Sequence, residues 1–132
     1  MYLLDSNICI YIINKKSEKV VEKIKEHTPP EIKLSSISIG ELEYGVSKSG
    51  SREKNRQALI HFASAFDIVD FTDEDAEIYG IIRVDLEKRG EVIGPYDMQI
   101  AAQAISRDLV LVTNNVREFS RVKNLKLENW TK

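Results

Sequence analysis

Hydrophobic positions along the chain follow two spacings, one typical of strands and one typical of helices. Five short apolar runs predict strands, and they are YLLD, IKLSS, DIVDF, LVLVT and LKLEN. Between these runs, apolar residues recur every three or four positions, which predicts amphipathic helices. Strands that alternate with helices favour parallel pairing through right-handed crossovers. We therefore expect an α/β three-layer sandwich, with a mainly parallel central sheet flanked by helices, formed by a single domain over residues 1–132.

Three of the predicted helices have well-marked ends. A helix from Ser36 to Lys48 follows IKLSS, and the segment TDEDAEIYGIIRVDLEKR begins with a threonine cap and an acidic first turn. That segment ends in Lys and Arg before Gly90. The segment PYDMQIAAQAISRD begins with Pro95, a residue that suits the first position of a helix. These ends place several polar side chains close to the starts of helices.

Composition and charge narrow the classes of function. The chain has 132 residues, of which 42% are hydrophobic and 30% charged, and this favours a folded protein. No apolar run approaches the roughly 20 residues of a membrane span, and the first residues lack a signal peptide pattern, so we expect a cytoplasmic protein with no membrane partner. One Cys and two His argue against thiol chemistry and zinc. With 19 basic and 21 acidic residues, any binding of nucleic acid must depend on local charge.

Four polar residues fall where α/β sheets bind their ligands, at strand ends and helix starts. Asp5 directly follows the first strand, and Asn115 follows LVLVT together with Asn114. We place Glu41 in the first turn of the helix after IKLSS, and Asp97 in the first turn of the helix that begins at Pro95. These four residues are the candidate site.

Each candidate also has a purely structural explanation. Ser38 with Glu41, and Asn115 with Glu118, match capping boxes that would satisfy free backbone donors at helix starts. The two aspartates could likewise cap a helix or complement its positive end. Capping does not require the four side chains to meet, whereas a metal site requires their oxygens to converge.

Convergence would define the chemistry of the site. Three carboxylates without a cation would repel one another, so a stable cluster implies a hard divalent ion bound through oxygen. Magnesium, with manganese as a substitute, fits such a set and suits in-line hydrolysis of a phosphodiester. The sequence therefore favours a metal-dependent nuclease, if the four residues meet.

Four segments in order resemble the PIN-domain ribonucleases, specifically the VapC-type toxins of bacterial toxin-antitoxin pairs. The segments are LLDSNICIYII, ISIGELEYGVSKS, IGPYDMQIAAQA, and LVTNNVREFSRV followed by LKLENW. The resemblance implies that Asp5, Glu41 and Asp97 are the acidic triad that binds metal and activates water. Many PIN domains have a fourth acid where this chain has Asn115, which offers a neutral oxygen, and Glu118 is a possible substitute.

The resemblance also implies a function and partners. It implies a Mg²⁺-dependent endoribonuclease that cleaves tRNA or ribosomal RNA, a cognate VapB-type antitoxin that restrains it, and a homodimer formed through the early helices. One alternative is a PIN-like module that only binds RNA or a partner, suggested by Asn115. The other is a receiver-like signalling domain, which expects a second acid beside Asp5, where this chain has Ser6 and Asn7.

Aromatic and basic residues near these segments are secondary candidates. Tyr44 and Tyr96 could stack on a base, but we expect partly buried packing for both. Local basic residues could hold RNA phosphates if they surround the acidic pocket, and they are Lys15, Lys16, Lys48, Arg52, Lys54, Arg56, Lys88 and Arg89.

Overall fold

Five strands form one sheet in the computed structural model, which describes all of residues 1–132. The strands are β1 (Tyr2–Leu4), β2 (Ile32–Ser35), β3 (Asp67–Val69), β4 (Val110–Val112) and β5 (Leu127–Glu128). Their order across the sheet is β3-β2-β1-β4-β5, and every neighbouring pair is parallel. The predicted mainly parallel sheet is confirmed, and all five apolar runs contribute a strand.

Seven α-helices connect and flank the strands. They are α1 (Ser6–Ile13), α2 (Glu18–Lys25), α3 (Ser36–Lys48), α4 (Arg52–Ala63), α5 (Asp73–Arg89), α6 (Pro95–Ser106) and α7 (Val116–Phe119), with a short 3-10 turn at Pro29–Glu31. The marked ends behave as predicted, since Thr72 forms a capping box at the start of α5 and Gly90 ends it in the left-handed region. None of these helices combines the length and the apolar character that a membrane span requires.

Side chains of the strands pack into a separate apolar core on each face of the sheet. Successive residues of a strand point to opposite faces. Leu3 accordingly joins a core with Leu86 and Phe119, while Leu4 joins the other core with Ile8. Helices on both faces give the predicted three-layer sandwich.

The chain changes direction across the sheet between β1 and β4, and this position determines where the site forms. From β1 the chain proceeds outward through β2 to β3, and it then returns to β4 and β5 on the other side of β1. Leu4 is paired with Val112, so the next residues, Asp5 and Thr113, leave the sheet side by side. Ligands of open α/β folds bind at this kind of crevice.

Candidate active site

Asp5 is buried at the carboxyl end of β1 and holds the centre of the crevice. Its Oδ1 accepts a hydrogen bond of 2.9 Å from the Ile8 amide, so it caps α1, and its Oδ2 accepts one of 2.5 Å from the Thr113 hydroxyl. Burial raises the pKa of Asp5, the two hydrogen bonds lower it, and the charge of Glu41 raises it again, with a net result above the usual range. Capping of α1 therefore does not exclude Asp5 from the candidate site.

Glu41 is brought beside Asp5 by a contact between two helices. The Ser6 hydroxyl, at the start of α1, donates a 2.7 Å hydrogen bond to Glu41 Oε1 on α3. Glu41 lies in the second turn of α3, not in the first as predicted, because it is the sixth residue of a helix that begins at the predicted Ser36. The predicted capping box with Ser38 is also wrong, since Ser35 is the cap and Ser38 lies inside the helix with a buried hydroxyl that has no partner.

Asp97 occupies the first turn of α6, as predicted, and shares the electrostatic field of the other acids. Burial raises its pKa to about 6, and the charges of Glu41, Asp5 and Glu118 add to the rise. A carboxylate that only complemented the positive end of α6 would gain stability from ionisation. The raised pKa of Asp97 indicates instead that ionisation is opposed, first by burial and then by the charges of the neighbouring carboxylates.

Asn115 and Glu118 follow β4, with Asn115 directly before α7 and Glu118 inside it. The Asn115 amide donates a 2.9 Å hydrogen bond to the Thr113 hydroxyl oxygen, but the Asn115 side chain does not cap α7, so the capping box with Glu118 is not formed. Glu118 contributes to the raised pKa of Asp97. The neighbouring Asn114 side chain points elsewhere, since its amide donates to the Tyr11 hydroxyl at 2.9 Å.

Thr113 is a site residue that sequence reasoning missed. Its buried hydroxyl donates to Asp5 and accepts from the Asn115 amide, so it links two of the predicted residues. The available signal was a polar residue at the end of the apolar run LVLVT, which would stand beside Asp5 if the two strands were neighbours. Strand adjacency was not readable from the sequence.

No basic side chain neutralises these acids. None of Asp5, Glu41, Asp97 and Glu118 forms an ion pair. The buried Asp75 shows the contrast: burial opposes its ionisation, but a 2.6 Å ion pair with Arg107 keeps its pKa below the usual range. Acids kept without a counter-charge are characteristic of a functional site.

The acids fit a hydrated divalent ion better than a closed metal cage. No group of three or more His, Cys, Asp and Glu side chains is arranged to hold a metal ion by itself. Magnesium commonly binds one or two carboxylates and keeps several waters, so it does not need such a group. Each Asp5 oxygen accepts one protein hydrogen bond and retains a further lone pair for an ion.

Two clefts meet at Glu41. One lies between α1, α3 and α4 and is lined by apolar residues such as Ile10, Leu42 and Leu59. The other contains Tyr44 and Tyr96, which are 67% and 57% exposed, so the expectation that both are partly buried is wrong. None of the predicted basic residues lines this second cleft.

Ion pairs occupy two of the predicted basic residues. Arg56 pairs with Glu43, and Arg89 pairs with Asp85 and Glu91. Lys48 instead lies over the ring of Tyr44, with its Nζ 5.4 Å from the ring centre. Lys48 is therefore the basic residue of this set that the structure places at the tyrosine cleft.

Comparisons with known proteins agree with this geometry. The PIN domain family model matches residues 2–125. Ribonuclease VapC2 of Rickettsia felis is 44% identical, covering 100% of this chain and 99% of that protein, and the tRNA(fMet)-specific endonuclease VapC of Salmonella typhimurium is 40% identical, covering 98% and 97%. A chain in the crystal structure of VapBC2 from Rickettsia felis bound to a DNA fragment from their promoter superposes with a TM-score of 0.93, at 43% identity and 98% coverage of both chains.

A parallel sheet with uncompensated acids at its crevice and a matching family model define a PIN domain. The chain belongs to the PIN-domain family, among its VapC ribonucleases. The resemblance predicted from the four sequence segments is thus confirmed, and the receiver-like alternative is wrong.

Proposed function

We propose that this chain is a metal-dependent endoribonuclease that hydrolyses RNA phosphodiester bonds and acts as the toxin of a toxin-antitoxin pair. The observation that carries the proposal is the set of acids from three elements that share one crevice without a basic partner. Its close relatives are named ribonuclease VapC2 and tRNA(fMet)-specific endonuclease VapC, which favours a structured RNA such as tRNA as the substrate.

The proposed cofactor is Mg²⁺, with Mn²⁺ as a substitute, held by Asp5, Glu41 and Asp97. Oxygen ligands select a hard divalent ion, and the excess negative charge of the acids is what such an ion would offset. When bound, the ion would supply an acidified water and neutralise charge on the scissile phosphate.

The protein groups have distinct parts in this reaction. Asp5 is fixed on both oxygens by Ile8 and Thr113, so it acts as a rigid anchor for the ion. Ser6 occupies Oε1 of Glu41 and orients the carboxylate, which leaves Oε2 free to accept the proton of the attacking water. Asp97 contributes a third carboxylate from the first turn of α6, close enough to Glu41 for the charge of Glu41 to raise its pKa.

Asn115 and Glu118 have complementary parts in the proposal. The backbone of Asn115 is fixed by Thr113, so its side-chain carbonyl is a neutral ligand at the end of β4. Glu118 acts through charge, as its effect on Asp97 indicates. A neutral ligand where many PIN domains have an acid favours one tightly held ion over two.

The proposed partners follow from the solved relatives. Because one of them is a VapBC2 complex bound to DNA, we propose a VapB-type antitoxin as the partner of this chain. Action on cellular RNA would take place in the cytoplasm. We further propose that residues 1–132 act as one domain, since the sheet joins Tyr2–Leu4 with Leu127–Glu128. Homodimerisation through the early helices, which the resemblance implies, stays a prediction that light scattering can measure.

The first test is cleavage of tRNA by the purified protein. Labelled tRNA is incubated with Mg²⁺, with Mn²⁺ and with EDTA, and we expect fragments only with metal. Asp5→Asn should lower the cleavage rate by about 100-fold or more. The matched control is Asp67→Asn at the amino end of the edge strand β3, where the side chain is exposed, and it should cleave like the wild type. Binding without cleavage in metal would support the non-catalytic alternative instead.

A further inference from the structure

A cleft next to the acids contains two exposed aromatic rings. Tyr44 on α3 and Tyr96 on α6 line a cavity of 650 Å³ together with Glu41, and Ser36, Ile37 and Gly40 complete its wall. The two tyrosines lie on different helices, and they are 67% and 57% exposed, respectively. Because Glu41 belongs to both the acid site and this cleft, the cleft opens directly onto the proposed point of cleavage.

Neither ring takes part in packing with another aromatic side chain. The aromatic pairs of the protein involve other residues, such as Tyr2 with His27 and Trp130. Lys48 lies over the ring of Tyr44, with its Nζ 5.4 Å from the ring centre. Lys48 thus covers one face of the Tyr44 ring, and the exposed remainder of Tyr44 and Tyr96 is available to a ligand.

An acidic, an aromatic and a basic side chain lie in sequence along one face of α3. Glu41, Tyr44 and Lys48 are spaced by three and four residues, so an acid, a ring and a cation line up over about 10 Å of helix. Tyr96 stands at the helix start that also carries Asp97. This order matches three successive groups of an RNA strand. The acid would lie at the scissile phosphate, the ring at the adjacent nucleobase, and the cation at the neighbouring phosphate.

We propose that this cleft binds one unpaired nucleotide of the RNA substrate, with its base stacked on Tyr44 and Tyr96 and a flanking phosphate paired with Lys48. This proposal rests on the proposed ribonuclease function. Aromatic faces stack on any base, Glu41 in the wall of the cleft lies beside the proposed position of the scissile phosphate, and Lys48 pairs with the phosphate that flanks the stacked base. A base inside a duplex does not expose its face, and the cleft consequently selects single-stranded positions.

Binding to a short single-stranded oligoribonucleotide in EDTA tests the proposal without any cleavage. One base is replaced in turn by the fluorescent analogue 2-aminopurine, whose emission is quenched on stacking, and the wild type should quench it at one position. Tyr44→Ala and Tyr96→Ala should each weaken binding by about 5- to 100-fold and abolish the quenching. Tyr44→Phe and Tyr96→Phe keep the ring and should bind within about 2-fold of the wild type.

The salt dependence of binding separates stacking from charge. Lys48→Gln should reduce the slope of log K against log salt by about 0.7, the value of one phosphate contact on a single strand, while the tyrosine variants leave the slope unchanged. Ile81→Ala is the matched control, because Ile81 is 65% exposed on α5 and does not line the cleft. Melting curves of every variant show whether it is folded. The quenching measurement on the wild-type protein tests the stacking without depending on any variant.

The outcomes of these experiments distinguish the stacking site from a protein interface and from the ribonuclease proposal. Alanine variants that bind the oligoribonucleotide as tightly as the wild type would overturn it. Normal RNA binding with lost binding of the cognate antitoxin would also overturn it, and would make the cleft a protein interface. If quenching and the effects of the tyrosine variants are present but no cleavage occurs with metal, the stacking site stands and the ribonuclease proposal fails.

Discussion

At the scale of single residues, the ionised form of Asp97 lowers the stability of the metal-free folded protein. Burial and the charges of Glu41, Asp5 and Glu118 raise its pKa to about 6. We predict that Asp97→Asn, which removes the charge and keeps the shape, lowers the cleavage rate by about 100-fold or more and raises the Tm of the metal-free protein by about 3 °C. Cleavage assays and thermal melts in EDTA measure the two effects.

The pH dependence of the higher Tm of Asp97→Asn tests whether the lost charge of Asp97 causes it. The pKa of Asp97 in the folded protein lies above the unfolded value near 4, so between pH 4 and 6 the folded state binds more protons and its stability falls as pH rises. The Tm advantage of Asp97→Asn should therefore grow from pH 4 to pH 7. The control Asp73→Asn, in the first turn of α5, should give no such gain. A lower Tm of Asp97→Asn at pH 7 would show that Asp97 serves the helix start alone.

Thr113 is a positioning residue, because one hydroxyl holds both Asp5 and the Asn115 backbone. Thr113→Val keeps the shape and removes the hydroxyl, so it should lower the cleavage rate and reduce the free energy of unfolding by about 1–3 kcal/mol. Thr113→Ser restores the donor and should recover most of both. If Thr113→Val also shifts the concentration of Mg²⁺ that gives half the maximal rate, the hydroxyl positions the ligand. An unchanged Mg²⁺ requirement would mean that it contributes stability only.

At the scale of elements, one buried ion pair joins the start of α5 to the end of α6. Asp75 closes the capping box of Thr72 and also pairs with Arg107 at 2.6 Å, and Arg107 donates to the Asp70 carbonyl at 2.9 Å. Arg107→Ala would leave a buried carboxylate without its partner. We predict a loss of about 2–4 kcal/mol in the free energy of unfolding, measured by urea denaturation.

The Asp75–Arg107 ion pair should also affect how the free energy of unfolding changes with pH at acidic pH. The pKa of Asp75 is lowered in the folded protein, so its contribution is complete above the unfolded value near 4 and is lost as pH falls below it. Arg107→Ala should flatten this acid limb. The control Asp108→Asn removes an exposed ion pair with Lys126 and should leave the urea midpoint nearly unchanged. Equal effects of the two variants would contradict the assignment.

The elements were more predictable from sequence than the contacts between them. Apolar runs and capping residues were enough for every strand and for the ends of α5 and α6, because these signals are local. The bond from Ser6 to Glu41 joins residues 35 positions apart and depends on how α1 packs on α3, which no local pattern encodes. The exposure of Tyr44 and Tyr96 has the same origin, since it depends on a cleft between two helices.

At the scale of the whole molecule, the fold concentrates negative charge in a protein whose net charge is only −2. The switch in strand order brings the ends of β1 and β4 together, and the helices that follow β2 and precede β4 supply Glu41 and Asp97. A near-neutral chain can thus gather several acids at one crevice, while Lys48 lies further along α3 than Glu41, over the ring of Tyr44. Total charge is therefore a poor guide to this site, and charge placement is the relevant quantity.

Metal binding should stabilise the whole molecule, since the ion offsets the repulsion that the fold maintains. A ligand at 100 times its Kd adds about 2.7 kcal/mol to the free energy of unfolding, so saturating Mg²⁺ should raise the Tm of the wild type by several degrees. Asp97→Asn and Asp5→Asn should lose most of this shift, and Asp67→Asn should keep it. Melts with added NaCl at equal ionic strength separate binding at the site from screening. A shift of equal size in all four proteins would assign the effect to screening and remove the acid crevice as the metal site.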